Sequence, residues 1–232
     1  MAVSTPPGAF SGAQIFRAAL NLWLGNLFVL TAISFLFGLF LLTVSSVLQL
    51  GLGVSGLALE FMLGPIGSGL LVLVAADLLA EEPIDPAALS RRITAVIGPL
   101  IILSIVGTLL TAMGFFLLVL PGLYVAAVLL PLVPVILMEH QGWQSLGHTW
   151  QMAQPHAWPL VGVLLRLLAV GIVLLVPILL IVSLDGFENL QILSAGLTLA
   201  GSALLSGLAA SVSVLTYYGL RGGDDNVSEV FE

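Results

Sequence analysis

The sequence predicts an all-α integral membrane protein, a six-transmembrane helix bundle with two interfacial amphipathic helices. Three observations predict it. Of 232 residues, 59% are hydrophobic and only 7% are charged, whereas a soluble domain carries about 25% charged residues. The apolar residues gather into long runs that match a bilayer core of about 30 Å. The arginines outside those runs all fall on one face. Arg17 precedes the first run, Arg91 and Arg92 follow the second, and Arg221 follows the sixth. An even number of crossings separates these points, and positive charge stays cytoplasmic, so both termini are predicted on that side.

Residues 1–9 form a Pro/Gly/Ser tail, expected to be disordered. Residues 10–23 read as an amphipathic helix on the membrane surface. Phe16, Leu20 and Trp23 share one stripe, and Gln14, Arg17 and Asn21 share the opposite one. Residues 27–48 form the first span, a run without a charged residue. A Gly-rich turn, 51–56, leads to the second span, 59–80. Glu81-Glu82-Pro83-Ile84-Asp85-Pro86 breaks the pattern most sharply. Asp85 followed by Pro86 is a helix start, with a carboxylate at the cap and proline at the first helical position.

The third span is expected at 94–118. Leu120-Pro121-Gly122 reads as a tight turn. The fourth span, 123–138, contains Pro131 and Pro134, each of which removes a backbone donor and bends a helix. Residues 139–159 form a second surface segment. Trp143, Leu146 and Trp150 recur at helical spacing, so an interfacial helix is expected at about 142–153. The fifth span is placed at 160–183, a short external turn at Asp185–Glu188, and the sixth span at 192–218. The sixth is rich in Gly, Ala and Ser, which let backbones approach closely, so it belongs inside the bundle. Residues 1–223 thus form one membrane domain, and 224–232 form an acidic cytoplasmic tail. A short helix followed by two spans recurs at about 10–80, 84–139 and 142–221.

Composition excludes several function classes. The net charge is −7 and no basic patch exists, which argues against nucleic-acid partners. There is no cysteine, hence no disulfide and no thiolate metal site. The N-terminus has no cationic region with a small-residue cleavage site, so the first span is expected to direct insertion itself. No cofactor fingerprint or catalytic motif is present, and no cofactor or metal is expected. His140, His148 and His156 recur every eight residues, which does not keep them on one helical face.

Few ionisable residues enter the spans. Asp77, Glu139 and Arg166 are the candidates for a polar cluster on the cytoplasmic side, since a charge within a span is costly and needs a partner. Each has a structural alternative. Arg166 can snorkel to headgroups, Asp77 can be a hydrated or arginine-paired structural carboxylate, and Glu139 can simply end the fourth span. Glu60 sits near a helix N-terminus, where the dipole favours a carboxylate. Gly64-Pro65-Ile66-Gly67-Ser68-Gly69 admits a broken helix of transporter type or close packing against a neighbour. Trp23, Trp143, Trp150, Trp158, Tyr217 and Tyr218 are expected as interfacial anchors.

Four features taken in order carry a family resemblance. They are Leu120-Pro121-Gly122, the Pro131…Pro134…Glu139 stretch, Ser145…Thr149-Trp150, and Tyr217-Tyr218-Gly219-Leu220-Arg221. Over about 115–221 the chain resembles the membrane domain fused to some bacterial glycerophosphoryl diester phosphodiesterases, and the stand-alone YciC-like inner-membrane proteins. The resemblance implies a polytopic helical protein of the bacterial inner membrane. It does not imply phosphodiesterase activity, because that chemistry belongs to a separate soluble barrel, which these 232 residues are not expected to form. Two functions are expected from the sequence. One is a non-enzymatic accessory or scaffold role through contacts with membrane lipids and another membrane protein. The other is a small transporter or permease-like role for a lipid or other amphiphile.

Overall fold

The computed structural model describes residues 11–52, 56–139, 142–182 and 191–222. The N-terminal tail, most of the turn after the first span, His140, the Asp185–Glu188 turn and the acidic tail lie outside them. The described residues form ten α-helices and two short 3₁₀ turns, with no strand among them. In order these are α1 (Gly12–Gly25), α2 (Leu27–Leu52), α3 (Gly56–Leu79), α4 (Pro86–Ala95), α5 (Ile97–Leu117), α6 (Val119–Val128), α7 (Leu132–Glu139), α8 (Ser145–Ala153), α9 (Ala157–Val182) and α10 (Gln191–Arg221).

Six stretches are long and apolar enough to cross a membrane, with α6 and α7 together making the fourth. The order is therefore a short helix and two spans, three times over. Large apolar side chains cover the outside, among them Phe28, Leu36, Phe116, Ile172 and Val173. Such a surface suits lipid, where helices satisfy their own backbone groups. In water it would form an extended sticky patch.

The longest helix, α10, packs against α1, α2, α3, α7 and α9. Glycines permit this: a Cβ on Gly207 would lie 3.2 Å from Leu30 Cβ, and one on Gly201 would lie 2.5 Å from Ile178 Cδ1. The stripe of α1 does not face outward. Ile15, Phe16, Ala19 and Trp23 are buried, and a Cβ on Gly12 would meet the Pro159 carbonyl of α9 at 2.7 Å. The amphipathic pattern of α1 is a packing pattern, because helix neighbours rather than headgroups cover its apolar side.

Local chemistry sets the helix ends. Asp85 caps α4, accepting from Ala87 N–H at 2.9 Å, with Pro86 in the first turn. At the end of α3 the chain reverses through Glu81, whose φ is +55°. Glu82 N–H donates to Asp77 C=O at 2.9 Å and Glu81 N–H to Leu78 C=O at 3.3 Å, the pairing of a Schellman cap. A side chain in this left-handed conformation costs about 1–2 kcal/mol, partly offset by glycine's larger entropy loss. Glu81→Gly is expected to stabilise the fold by about 0.5–1 kcal/mol. A denaturant midpoint that stays put or falls would contradict this.

The Leu120-Pro121-Gly122 turn is corrected. The break between α5 and α6 is at Leu118, which is extended (φ −165°, ψ 155°). Pro121 lies in the first turn of α6, where a backbone N–H has no helical partner and proline is tolerated. Proline that opens a helix and proline that follows one look alike in sequence.

Candidate functional site

The fourth span is broken, and its prolines explain how. Pro131 offers no N–H to Ala127 C=O, which instead accepts from Leu130 N–H at 3.3 Å. Pro134 offers none to Leu130 C=O. That carbonyl accepts from the Ser213 hydroxyl of α10 at 2.7 Å. A neighbouring helix thus supplies the donor that proline removes, as a low-dielectric interior requires. By contrast α3 runs through Pro65 as one helix, so the second span is not broken there.

The break forms part of two grooves. The first, of 720 Å³, lies between α2, α3, α10 and the break. The second, of 730 Å³, lies between α3, α5 and the break. Glu60, Gly64, Ser68, Leu129 and Val133 line both, so this face of α3 is their common wall. Ser68 lies about 18 Å along α3, near the middle of that helix. Glu60 is exposed close to its start.

The first groove is apolar but carries six hydroxyls. They belong to Ser34 and Ser45 of α2, Ser68 of α3, and Ser202, Ser206 and Ser213 of α10. The three on α10 recur at helical spacing and extend about 16 Å along it. Five of the six donate to backbone carbonyls: Ser45 to Leu42, Ser68 to Pro65, Ser202 to Leu199, Ser206 to Ser202 and Ser213 to Leu130, all at 2.7–2.9 Å. Ser34, only 9% exposed, has no such bond among the described residues. In the second groove Thr108 donates to Ser104 C=O at 2.9 Å, and the buried Ser104 hydroxyl has no partner among the described residues.

Comparison with protein families, with curated proteins and with solved structures finds no match.

Of the residues singled out in the sequence, Glu60, Gly64 and Ser68 line the grooves, and Asp77, Glu139 and Arg166 do not. Asp77 pairs with Arg92 of α4 at 2.9 Å, with its carboxylate mostly buried. The pair offsets the cost of a carboxylate at the end of a helix, where the dipole opposes it. Glu139 accepts from the Tyr217 hydroxyl at 3.2 Å. His148 Nε2 lies 3.0 Å from its other oxygen, off the angle of a good hydrogen bond. Arg221 donates to the Tyr217 hydroxyl at 2.9 Å. Arg166 is exposed and reaches back one turn, donating to Gly162 C=O at 3.3 Å. No hydrogen bond or ion pair joins Asp77, Glu139 and Arg166 among the described residues. The direction of Arg166, toward the start of α9, is that of a snorkelling side chain.

The aromatic residues divide. Trp143 and Trp158 are exposed, at 60% and 74%, and Trp150 packs edge-on to Tyr124, with ring centroids 6.2 Å apart. Trp23 and Tyr217 are buried, so helix contacts surround them where headgroups were expected. Tyr218 stacks edge-on against Tyr217 at 5.4 Å. No group of three metal-ligating side chains occurs among the described residues. Sequence reasoning missed the groove hydroxyls, though the 202, 206, 213 serine spacing was a readable signal.

Proposed function

We propose that this chain is a non-enzymatic polytopic membrane protein that takes a lipid-like amphiphile into the groove between α2, α3 and α10. The observation that carries the reading is the 720 Å³ groove, apolar but lined by hydroxyls at the depth of the spans. This volume lies within the roughly 300–1,000 Å³ of small-ligand sites. An ordinary helix contact would fill such a space with side chains. Apolar walls suit an acyl chain, and hydroxyls at successive turns suit a head group. A broken span beside the groove also gives the bundle a place to bend. The reading is the permease-like one, with no chemical step assigned to the serines.

Native mass spectrometry of the protein extracted with its lipids provides the test. Wild type should retain an amphiphile through delipidation, and Ser206→Trp, which fills the groove, should lose most of it. Equal retention by both, with the helical circular dichroism intact, would end the proposal.

The accessory reading has one observation of its own. Phe116, Leu117, Leu118, Val119 and Leu120, at the α5–α6 corner, are consecutive and exposed, a surface that suits another membrane protein as well as lipid. The small-residue face of α10 supports it less, because Gly201 is occupied by Leu175 and Ile178 of α9. A protein partner co-purifying in stoichiometric amount, and lost in Phe116→Ser, would favour this second reading.

We place the chain in the bacterial inner membrane with both termini cytoplasmic. Arginine distribution and the resemblance to the phosphodiesterase-associated and YciC-like membrane domains support this placement. The exposed Trp143 and Trp158 flank α8 and support a headgroup-level position for that helix. A reporter after Glu232 should be cytoplasmic and one at Gly186 external.

A further inference from the structure

We propose that the occupant of the first groove carries an ammonium head group, and not a phosphate or a carboxylate. The inference rests on the groove reading above and names its ligand class. A hydroxyl has one proton and two lone pairs. Five of the six groove hydroxyls have committed that proton to a backbone carbonyl of their own or a neighbouring helix. What they still offer an occupant is lone pairs. The charged side chain lining the groove is Glu60, which adds two more acceptor oxygens and a negative charge. No arginine, lysine or histidine is among the lining residues.

An anionic head group would therefore face five hydroxyls that offer only lone pairs, with Ser34 alone free to donate, and a carboxylate at the α3 start. An ammonium reverses each of these interactions: it brings N–H donors and a positive charge. Glu60 is exposed near the start of α3, so this attraction acts at the groove mouth with the modest strength of a surface charge. Ser34 is a second pointer. The residue is only 9% exposed and lines the groove, and its hydroxyl makes no hydrogen bond among the described residues. A polar group left so is costly unless an occupant satisfies it. Ser34 and Ser45 lie about 16 Å apart along α2. Beyond Glu60 an ammonium finds further acceptors at Ser68 of α3 and at Ser202, Ser206 and Ser213 of α10.

The test uses the full chain in lipid nanodiscs and three photoreactive probes of equal chain length: a long-chain primary amine, the corresponding alcohol and the corresponding carboxylic acid. Each bears a diazirine in the chain, and mass spectrometry maps the labelled residues. The amine should label the groove wall, such as Leu41 and Leu199, about tenfold more than the acid, a difference of 1.4 kcal/mol. Glu60→Gln should lower amine labelling about tenfold and leave alcohol labelling unchanged. Ser206→Ala, which removes one acceptor, should lower it severalfold and guards against a misfolded Glu60 variant. Competition by an amine-headed phospholipid would make the membrane's own lipid the source of the head group. Competition by the single-chain amine alone would make it a free amine.

Acid labelling equal to that of the amine would overturn the ammonium assignment while leaving an amphiphile groove standing. So would amine labelling unchanged in both variants. If none of the probes labels the groove wall, the groove reading itself fails.

Discussion

Gly122→Ala is expected to destabilise the protein by about 2–3 kcal/mol, the upper part of the range for overpacking a closed site. A Cβ at this position would lie 2.5 Å from Phe115 Cγ and 2.7 Å from Phe115 N. The facing residue is equally bare: a Cβ on Gly114 would lie 2.9 Å from Gly122 Cα. Here α5 and α6 touch backbone to backbone, just past the extended residue Leu118. A side-chain rotamer can relieve a clash with a side chain, but no rotamer moves a backbone nitrogen. The added methyl must push the two helices apart along the hairpin. Because α6 leads directly into the break at 129–131, such a displacement should also widen the second groove. Gly98→Ala is the control. Nothing lies within 4 Å of its Cβ position inside α5, so the higher helix propensity of alanine should add up to about 1 kcal/mol. Reversible unfolding in mixed micelles, followed by circular dichroism, compares the two. A wild-type midpoint for Gly122→Ala would mean that α5 and α6 do not close on each other in the folded protein.

The spans were legible because a long apolar run has few alternatives, and the Asp85-Pro86 start was legible because both residues act locally. What failed was anything decided by a partner distant in sequence. Asp77 has several arginines within conceivable reach, and only the fold selects Arg92. The stripe of α1 has the same periodicity whether it faces headgroups or α10, so burial of Trp23 could not be read from spacing. The prolines of the fourth span announced a break, but not that Ser213 would supply the missing donor. That same serine shows why the groove went unread. A serine in an apolar helix reads as a small packing residue, and only the packed bundle separates the serines on a helix contact from those on an empty volume.

Glu139→Ala is expected to cost about 2 kcal/mol, and Glu139→Gln less, on the scale of one buried hydrogen-bonded group left unsatisfied. Glu139 ends α7 where the helix dipole disfavours a carboxylate. It is kept there by the Tyr217 hydroxyl of α10, which donates to one oxygen, with the His148 ring of α8 3.0 Å from the other. The Tyr217 side chain is fully buried, so its hydroxyl proton has no water to turn to when the carboxylate is removed. Arg221 continues to donate to that oxygen, but a donor cannot replace an acceptor. Glutamine keeps an acceptor in place for the Tyr217 hydroxyl, so the alanine variant should be the weaker of the two. Combining Glu139→Ala with Tyr217→Phe removes both halves of the contact. The double variant should be less destabilised than the sum of the singles by about 1 kcal/mol. The contact ties α8 to the ends of α7 and α10, so its loss should also change the environment of Trp150 before the spans unfold. Additive single variants, or a Trp150 signal that moves only with global unfolding, would reduce Glu139 to an ordinary end-of-span charge.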